Sequence, residues 1–220
     1  MNAENQKNGM MIYSNSYSLF LGSTLFFLFS VCFIQAQTNE KKEPSADLVK
    51  HVKLYLKEAA DGNELALLFE MVKPDKAYFM VLFDSIPTIH PLNPKNEKRV
   101  SDGFGDRFHP IEKKNKPHLG IDITAETGTA IHAAADGTVT LANKSKDGYG
   151  NEVRITHSNG FSTRYTHMYT FIVKKGMKVK KGDIIGFVGS TGKSTGPHIH
   201  YEVRKHGKAV NPEYFLGIPI

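Results

Sequence analysis

Residues 151–167 read NEVRITHSNGFSTRYTH, and this stretch decides the fold class. Asn151 to His157 and Phe161 to His167 are two short runs rich in β-branched and aromatic residues, the composition of strands. Between them stands Ser158-Asn159-Gly160, and Asn and Gly are the residues that accept the positive φ of a tight hairpin turn. A β-hairpin is the reading, and the surrounding sequence repeats the theme. Thr129 to Ala133, Gly137 to Ala142 and Asp183 to Val188 are further strand-like pieces, with glycines recurring between them from Gly103 to Gly196. Ala133 to Val139 and Val179 to Gly186 echo each other, each a turn and a strand with an Asp and a Gly at the turn. Many short strands and no long helix after residue 100 predict an all-β sandwich or barrel.

Upstream the pattern changes. From Asp47 to about Val72 apolar residues recur at helical spacing (Leu48, Val52, Leu54, Tyr55, Ala59, then Leu65, Leu67, Leu68, Met71), interrupted by Asp61-Gly62-Asn63. Two short helices joined by a turn are expected, with Ser45 or Asp47 capping the first. Ala77 to Phe83 is β-prone, and Pro87, Pro91 and Pro94 mark a loop or boundary. Leu19 to Ile34 is an apolar run of 16 residues, short of the roughly 20 that a membrane-spanning helix needs. With Gln35-Ala36-Gln37 behind it as a cleavage zone, it reads as the h-region of a signal peptide. The competing reading keeps it as an uncleaved N-terminal membrane anchor. Lipidation at Cys32 is disfavoured, because Val31 stands where lipidated sequences carry a small residue.

Composition narrows the partners. The chain has 28 Lys and Arg against 22 Asp and Glu, a net charge of +6, and residues 1–37 hold one Lys and one Glu, so their removal leaves that charge unchanged. A basic exported protein dwells near polyanions such as wall polymers or phospholipid head groups. Nucleic acid is not expected, since no stripe of Arg and Lys is interleaved with aromatics. Cys32 is the sole cysteine. A chain cut after Gln37 therefore has none, and a metal site must rest on histidine and carboxylate ligands.

Two elements carry such ligands. In His118-Leu119-Gly120-Ile121-Asp122, positions i and i+4 share a strand face but lie about 13 Å apart at roughly 3.3 Å per residue. Ligation of one ion by both requires the chain to contract between them, and Gly120 is placed to allow the bend. In His198-Ile199-His200-Tyr201-Glu202-Val203 the alternation is strict. It puts His198, His200 and Glu202 on one face and Ile199, Tyr201 and Val203 on the other. Two imidazoles about 6.6 Å apart on one strand can converge on an ion, but spacing leaves His198 and His200 interchangeable. His167 closes the strand that begins at Phe161, where a single histidine draws its weight from these others. His51, His90, His132, His157 and His206 have no such company and default to structural or surface roles.

The segments SDGFGDRFHP (101–110), HLGID (118–122), AAADGTV (133–139), GYGN (148–151), YTHM (165–168) and GSTGKSTGPHIHYE (189–202) follow one another in one order. In order and interval this resembles the lysostaphin/LytM-type zinc metallopeptidases over about residues 86 to 217. The resemblance implies a mainly β fold, an antiparallel β-sandwich of short strands of the duplicated hybrid-motif type, with a short helical N-terminal segment. Together with the N-terminal readings above, it divides the chain into a signal peptide or anchor (1–37), a linker and short helical segment (38–85) and a zinc metallopeptidase domain (86–217). It implies one zinc ion per chain on His118, Asp122 and His200, with His167 and His198 as the catalytic pair and His109 lining the substrate groove. No H-E-x-x-H is present, so histidine must do the work that glutamate does in helical zinc sites. The implied substrate is the peptide part of bacterial peptidoglycan, cut at stems or cross-links by an exported monomer of the periplasm or cell envelope. A non-catalytic relative that binds the wall and activates a partner hydrolase is the alternative, and the complete set of five positions counts against it. A lipoyl- or biotin-carrier-like domain, which the turns near Ala135 and Val179 resemble, lacks the lysine context it needs. The segment from Asp47 to Pro94 is expected either to pack as a helical cap or to occlude the groove.

Overall fold

In the computed structural model the described residues are 46–59, 64, 86–108 and 113–216. They form one α-helix, α1 (Ala46–Glu58), followed by strands β1 (Glu97–Asp102), β2 (Gly105–Phe108), β3 (Asn115–His118), β4 (Ile121–Ala125), β5 (Ala130–His132), β6 (Gly137–Asn143) and β7 (Asn151–Thr156). β8 (Phe161–Met168), β9 (Thr170–Phe171), β10 (Lys178–Val179), β11 (Ile184–Phe187), β12 (His198–Lys205) and β13 (Lys208–Val210) follow, with a closing 3-10 turn at Pro212–Tyr214. The chain divides into two compact units, Met1–Ala59 with Asn63–Leu82, and Ala60–Gly62 with Phe83–Ile220.

In the first unit, α1 buries Val52, Tyr55 and Leu56, and Ala59 just beyond its end is buried too, together the i, i+3, i+4, i+7 stripe of an amphipathic helix. Leu56 rather than Leu54 completes that stripe. The second expected helix, the β-prone stretch at 77–83, the apolar run at 19–34 and His109 lie outside the described residues.

The second unit is mainly β, and every ladder in it is antiparallel. An eight-stranded sheet runs β1-β4-β12-β8-β7-β6-β10, with β13 on β12; β5-β11-β9 form a three-stranded sheet and β2-β3 a ribbon. The hairpin that opened the reading is β7–β8, turned by Asn159 at φ 56° and Gly160 at φ 73°. Along β12, Ile199, Tyr201 and Val203 are fully buried on one face as the alternation requires. They join Ile121, Ile123, Val153, Ile155 and Tyr165 in the core of the large sheet. The Tyr165 hydroxyl accepts from the Ala134 backbone N–H at 2.9 Å, linking β8 to the chain leaving β5.

The two echoing turns meet. The Ala133 N–H donates to the Asp183 carbonyl and the Gly182 N–H to that of Ala133, both at 2.9 Å. Asp136 accepts from the Lys181 N–H and the Lys180 ammonium, both at 2.8 Å. The two echoing segments thus grip each other through backbone and side-chain hydrogen bonds. Strands β1, β2 and β3 gave no signal in the sequence, because their residues are mostly exposed and show no apolar alternation. Pairing with a neighbour, not burial, makes them strands.

Candidate metal centre

His118 ends β3 and Asp122 sits in β4, and the link between them is pressed against β12. A Cβ on Gly120 would lie 2.3 Å from the Tyr201 carbonyl oxygen, so only glycine lets the chain turn here. The contraction anticipated at Gly120 is therefore present, and it brings His118 Nε2 to 3.2 Å from Asp122 Oδ1. The β4–β12 register then sets Asp122 directly opposite His200. His200 Nδ1 lies 2.8 Å from Asp122 Oδ1 and 2.9 Å from His118 Nε2. The three ligand atoms lie within the span that one metal ion can bridge. Bonds of about 2.0–2.1 Å in a tetrahedral site place neighbouring ligand atoms about 3.3 Å apart, close to the spacing found.

Hydrogen bonding on the far side of each ring fits a cation. His118 Nδ1 lies 2.6 Å from the Gly103 carbonyl, which can only accept, so Nδ1 carries a proton and Nε2 is the nitrogen left for a metal. His200 Nε2 lies 3.2 Å from Glu202 Oε1, leaving Nδ1 bare when the ring is neutral. Two bare nitrogens and a carboxylate oxygen then face one another without a proton between them, an arrangement satisfied by a metal ion. Burial opposes charge on His200, but hydrogen bonds and the charges of Asp122 and Glu202 prevail and raise its pKa. Burial likewise opposes ionisation of Asp122, but the side-chain contacts and charges of the His118 and His200 imidazoles prevail and hold its carboxyl well below the usual range.

The remaining pair stands alongside. The His167 and His198 ring centroids are 4.7 Å apart, and His198 Nε2 is 3.8 Å from Asp122 Oδ1. Each ring donates Nδ1–H to a backbone carbonyl at 2.8 Å, His167 to Thr191 and His198 to Gly196, so each presents a bare Nε2. His167 adopts φ 59°, an uncommon backbone state for a residue other than glycine. Its N–H donates to Tyr149 and its carbonyl accepts from Thr191, which pins it there. Burial pushes the His167 pKa down to about 4, against the pull of the Thr191 carbonyl and with the help of His198 and His200. The ring is neutral at neutral pH.

All four of these histidines and Asp122 line one cleft, which also takes in Arg107, Lys116, Tyr149 and the loop at Lys193–Thr195. Sequence reasoning missed two neighbours. Arg107 pairs with Asp102 and reaches Asp122 Oδ2 at 3.5 Å. Tyr149 stacks under the Arg164 guanidinium, 3.5 Å from its ring centroid, and lies 5.8 Å from the His200 ring. Both residues stand in the motif segments, so the segments were the available signal. Their contacts cross strands and leave no spacing pattern. Glu202, placed by alternation on the face of the histidines, is fully buried behind His200.

The chain is also similar to known proteins. Residues 116–212 match the family model described as Peptidase family M23. The DD-carboxypeptidase/endopeptidase Mpg of Neisseria meningitidis is 49% identical over 121 residues, covering 55% of this chain and 28% of that protein. The peptidoglycan DD-endopeptidase ShyA of Vibrio cholerae is 39% identical over 139 residues, covering 62% of this chain and 32% of its own. The chain thus spans about a third or less of the length of these curated relatives. A zinc-containing peptidase from Vibrio cholerae superposes with a TM-score of 0.52 at 34% identity, over 56% of this chain and 37% of that one. With the matching motifs in one order and the histidines gathered in one cleft, residues 116–212 of the chain form a domain of peptidase family M23.

Proposed function

We propose that this chain is a zinc-dependent endopeptidase that hydrolyses peptide cross-links or stem peptides of bacterial peptidoglycan, with residues 86–217 as its catalytic domain. His118, Asp122 and His200 hold one zinc ion per chain, and His167 and His198 are the catalytic pair. The observation that carries this is the cluster of two imidazole nitrogens and a carboxylate oxygen 2.8–3.2 Å apart, with two further imidazoles lining the same cleft. A zinc ion held there supplies a Lewis acid that brings the pKa of water toward about 7 and polarises a scissile carbonyl. His167 enters as a neutral ring, and both it and His198 hold Nδ1 against a backbone carbonyl, which leaves Nε2 for proton transfer. One takes the proton of the attacking water; the other, once charged, stabilises the oxyanion or protonates the leaving amine. Relatives named as peptidoglycan DD-endopeptidase and zinc-containing peptidase support the substrate and the metal.

Peptidoglycan as substrate puts the site of action in the cell envelope. We read residues 1–37 as the export signal or anchor that takes the chain there. The test is zinc content together with mass spectrometry of muropeptides after digestion. His200→Ala is expected to lose both zinc and cleavage. His167→Ala is expected to keep zinc and to lose cleavage by about 10²-fold or more. A zinc-free but active His167→Ala would overturn this division of roles.

A further inference from the structure

Glu202 has no exposed surface and spends its carboxylate on three donors. His200 Nε2 lies 3.2 Å and Arg164 Nη1 3.4 Å from Oε1, and Arg204 Nε lies 2.8 Å from Oε2. A buried carboxylate beside a metal cluster invites a role as general base, but the position argues against it. Glu202 lies on the Nε2 side of His200, away from the nitrogen that faces Asp122, and is not among the residues lining the cleft. It cannot touch substrate or the attacking water.

The bland role, neutralising two arginines, also leaves it underemployed. Arg164 is already held by Glu152 at 2.6 and 3.1 Å. Arg204 keeps 30% of its side chain exposed and donates to the Gly207 carbonyl at 3.0 Å. A carboxylate buried completely is costly unless its partners are well placed, and the partner the arginines do not explain is His200. Arg164 is itself held by the stack on Tyr149 as well as by Glu152.

We infer that Glu202 is a positioning residue for His200. It holds the ring proton on Nε2, fixes the ring plane, and thereby commits Nδ1 to the metal. The inference rests on the zinc reading above. Carboxylates behind ligating histidines contribute about 10–100-fold to metal affinity in general, and that is the effect expected here.

The test uses Glu202→Gln in the full chain, which keeps the size and one acceptor oxygen but removes the charge. Competition with a chelator is expected to show zinc held about 10–100-fold more weakly than by wild type. The visible absorption of the cobalt-substituted protein is expected to shift, a signature that a purely structural role for Glu202 would not move. Wild-type zinc affinity with an unchanged cobalt spectrum would overturn the inference. A second measurement needs no variant: nitrogen-detected NMR of the zinc-loaded wild type is expected to find the His200 proton on Nε2, coupled across to Glu202. Finding it on Nδ1 would overturn the inference even if Glu202→Gln fails to fold. Failure of the wild type to bind zinc at all would instead overturn the functional reading.

Discussion

Gly120 stands where a side chain cannot, since its Cβ would lie 2.3 Å from the carbonyl oxygen and 2.9 Å from the carbonyl carbon of Tyr201. The obstructing atoms are backbone of β12, the strand that carries His198 and His200, so the clash cannot be relieved by a rotamer change. Gly120→Ala is expected to destabilise the protein by about 1–3 kcal/mol. It should also weaken zinc binding, because the shift separates His118 and Asp122 from His200. Thermal unfolding with and without zinc measures both effects, and an unchanged midpoint in each would remove the argument. The need for a bend at this residue was legible from the distance between His118 and Asp122 along an extended strand. The order of His198 and His200 was not. Alternation puts both on one face, and only the β4–β12 register brings His200 to 2.8 Å from Asp122 while His198 stays at 3.8 Å.

Among the elements, the β7–β8 hairpin was the most legible, because both its strand pattern and its turn chemistry are local. It also contains a histidine outside the metal cluster. His157 is buried, with Nδ1 2.8 Å from the Asp136 carbonyl and Nε2 2.8 Å from Thr163 Oγ1. Burial pushes its pKa down to about 4, with the Asp136 carbonyl and charge opposing. An unfolded histidine titrates near 6.5, so between about pH 6.5 and 4 the unfolded chain binds a proton that the native chain excludes. Stability is therefore full above pH 6.5 and is lost as pH falls toward 4, by up to about 3 kcal/mol from this ring alone. His167, depressed to the same range, acts with the same sign. Urea unfolding of wild type and His157→Gln at pH 7 and pH 4.5 is expected to show the gap between them narrowing in acid. A gap independent of pH would mean that His157 charges freely in the native state. Strands β1 to β3 were illegible for a related reason: they bury little, and the signal that reveals a strand in sequence is the alternation burial imposes.

For the whole molecule, every residue lining the cleft falls between Arg107 and His200, inside the unit that begins at Phe83 apart from Ala60–Gly62. A chain starting at residue 86 is therefore expected to bind one zinc ion with wild-type affinity, measured by metal analysis and chelator competition. Turnover of purified peptidoglycan by the same shortened chain addresses the N-terminal segment: a rise assigns it an occluding role, and unchanged activity removes that role. Loss of zinc from the shortened chain would show that the site needs residues outside the cleft.

The sequence by itself determined the mainly β class, the hairpin, the two echoing turns, and a metal chemistry of histidine and carboxylate. These follow from residue type and from period along one strand, which are local properties. Tertiary structure decided the rest: which nitrogen of each ring is bare, how Arg107 reaches Asp122, why Tyr149 carries a guanidinium on its face, and where Glu202 is buried. Each depends on atoms of different strands meeting across a ladder, and neither strand's own sequence records that register. The cluster of His118, Asp122 and His200 shows both sides, since His118, Gly120 and Asp122 were readable as one contracted link, whereas the place of His200 beside them came from how β12 aligns with β4.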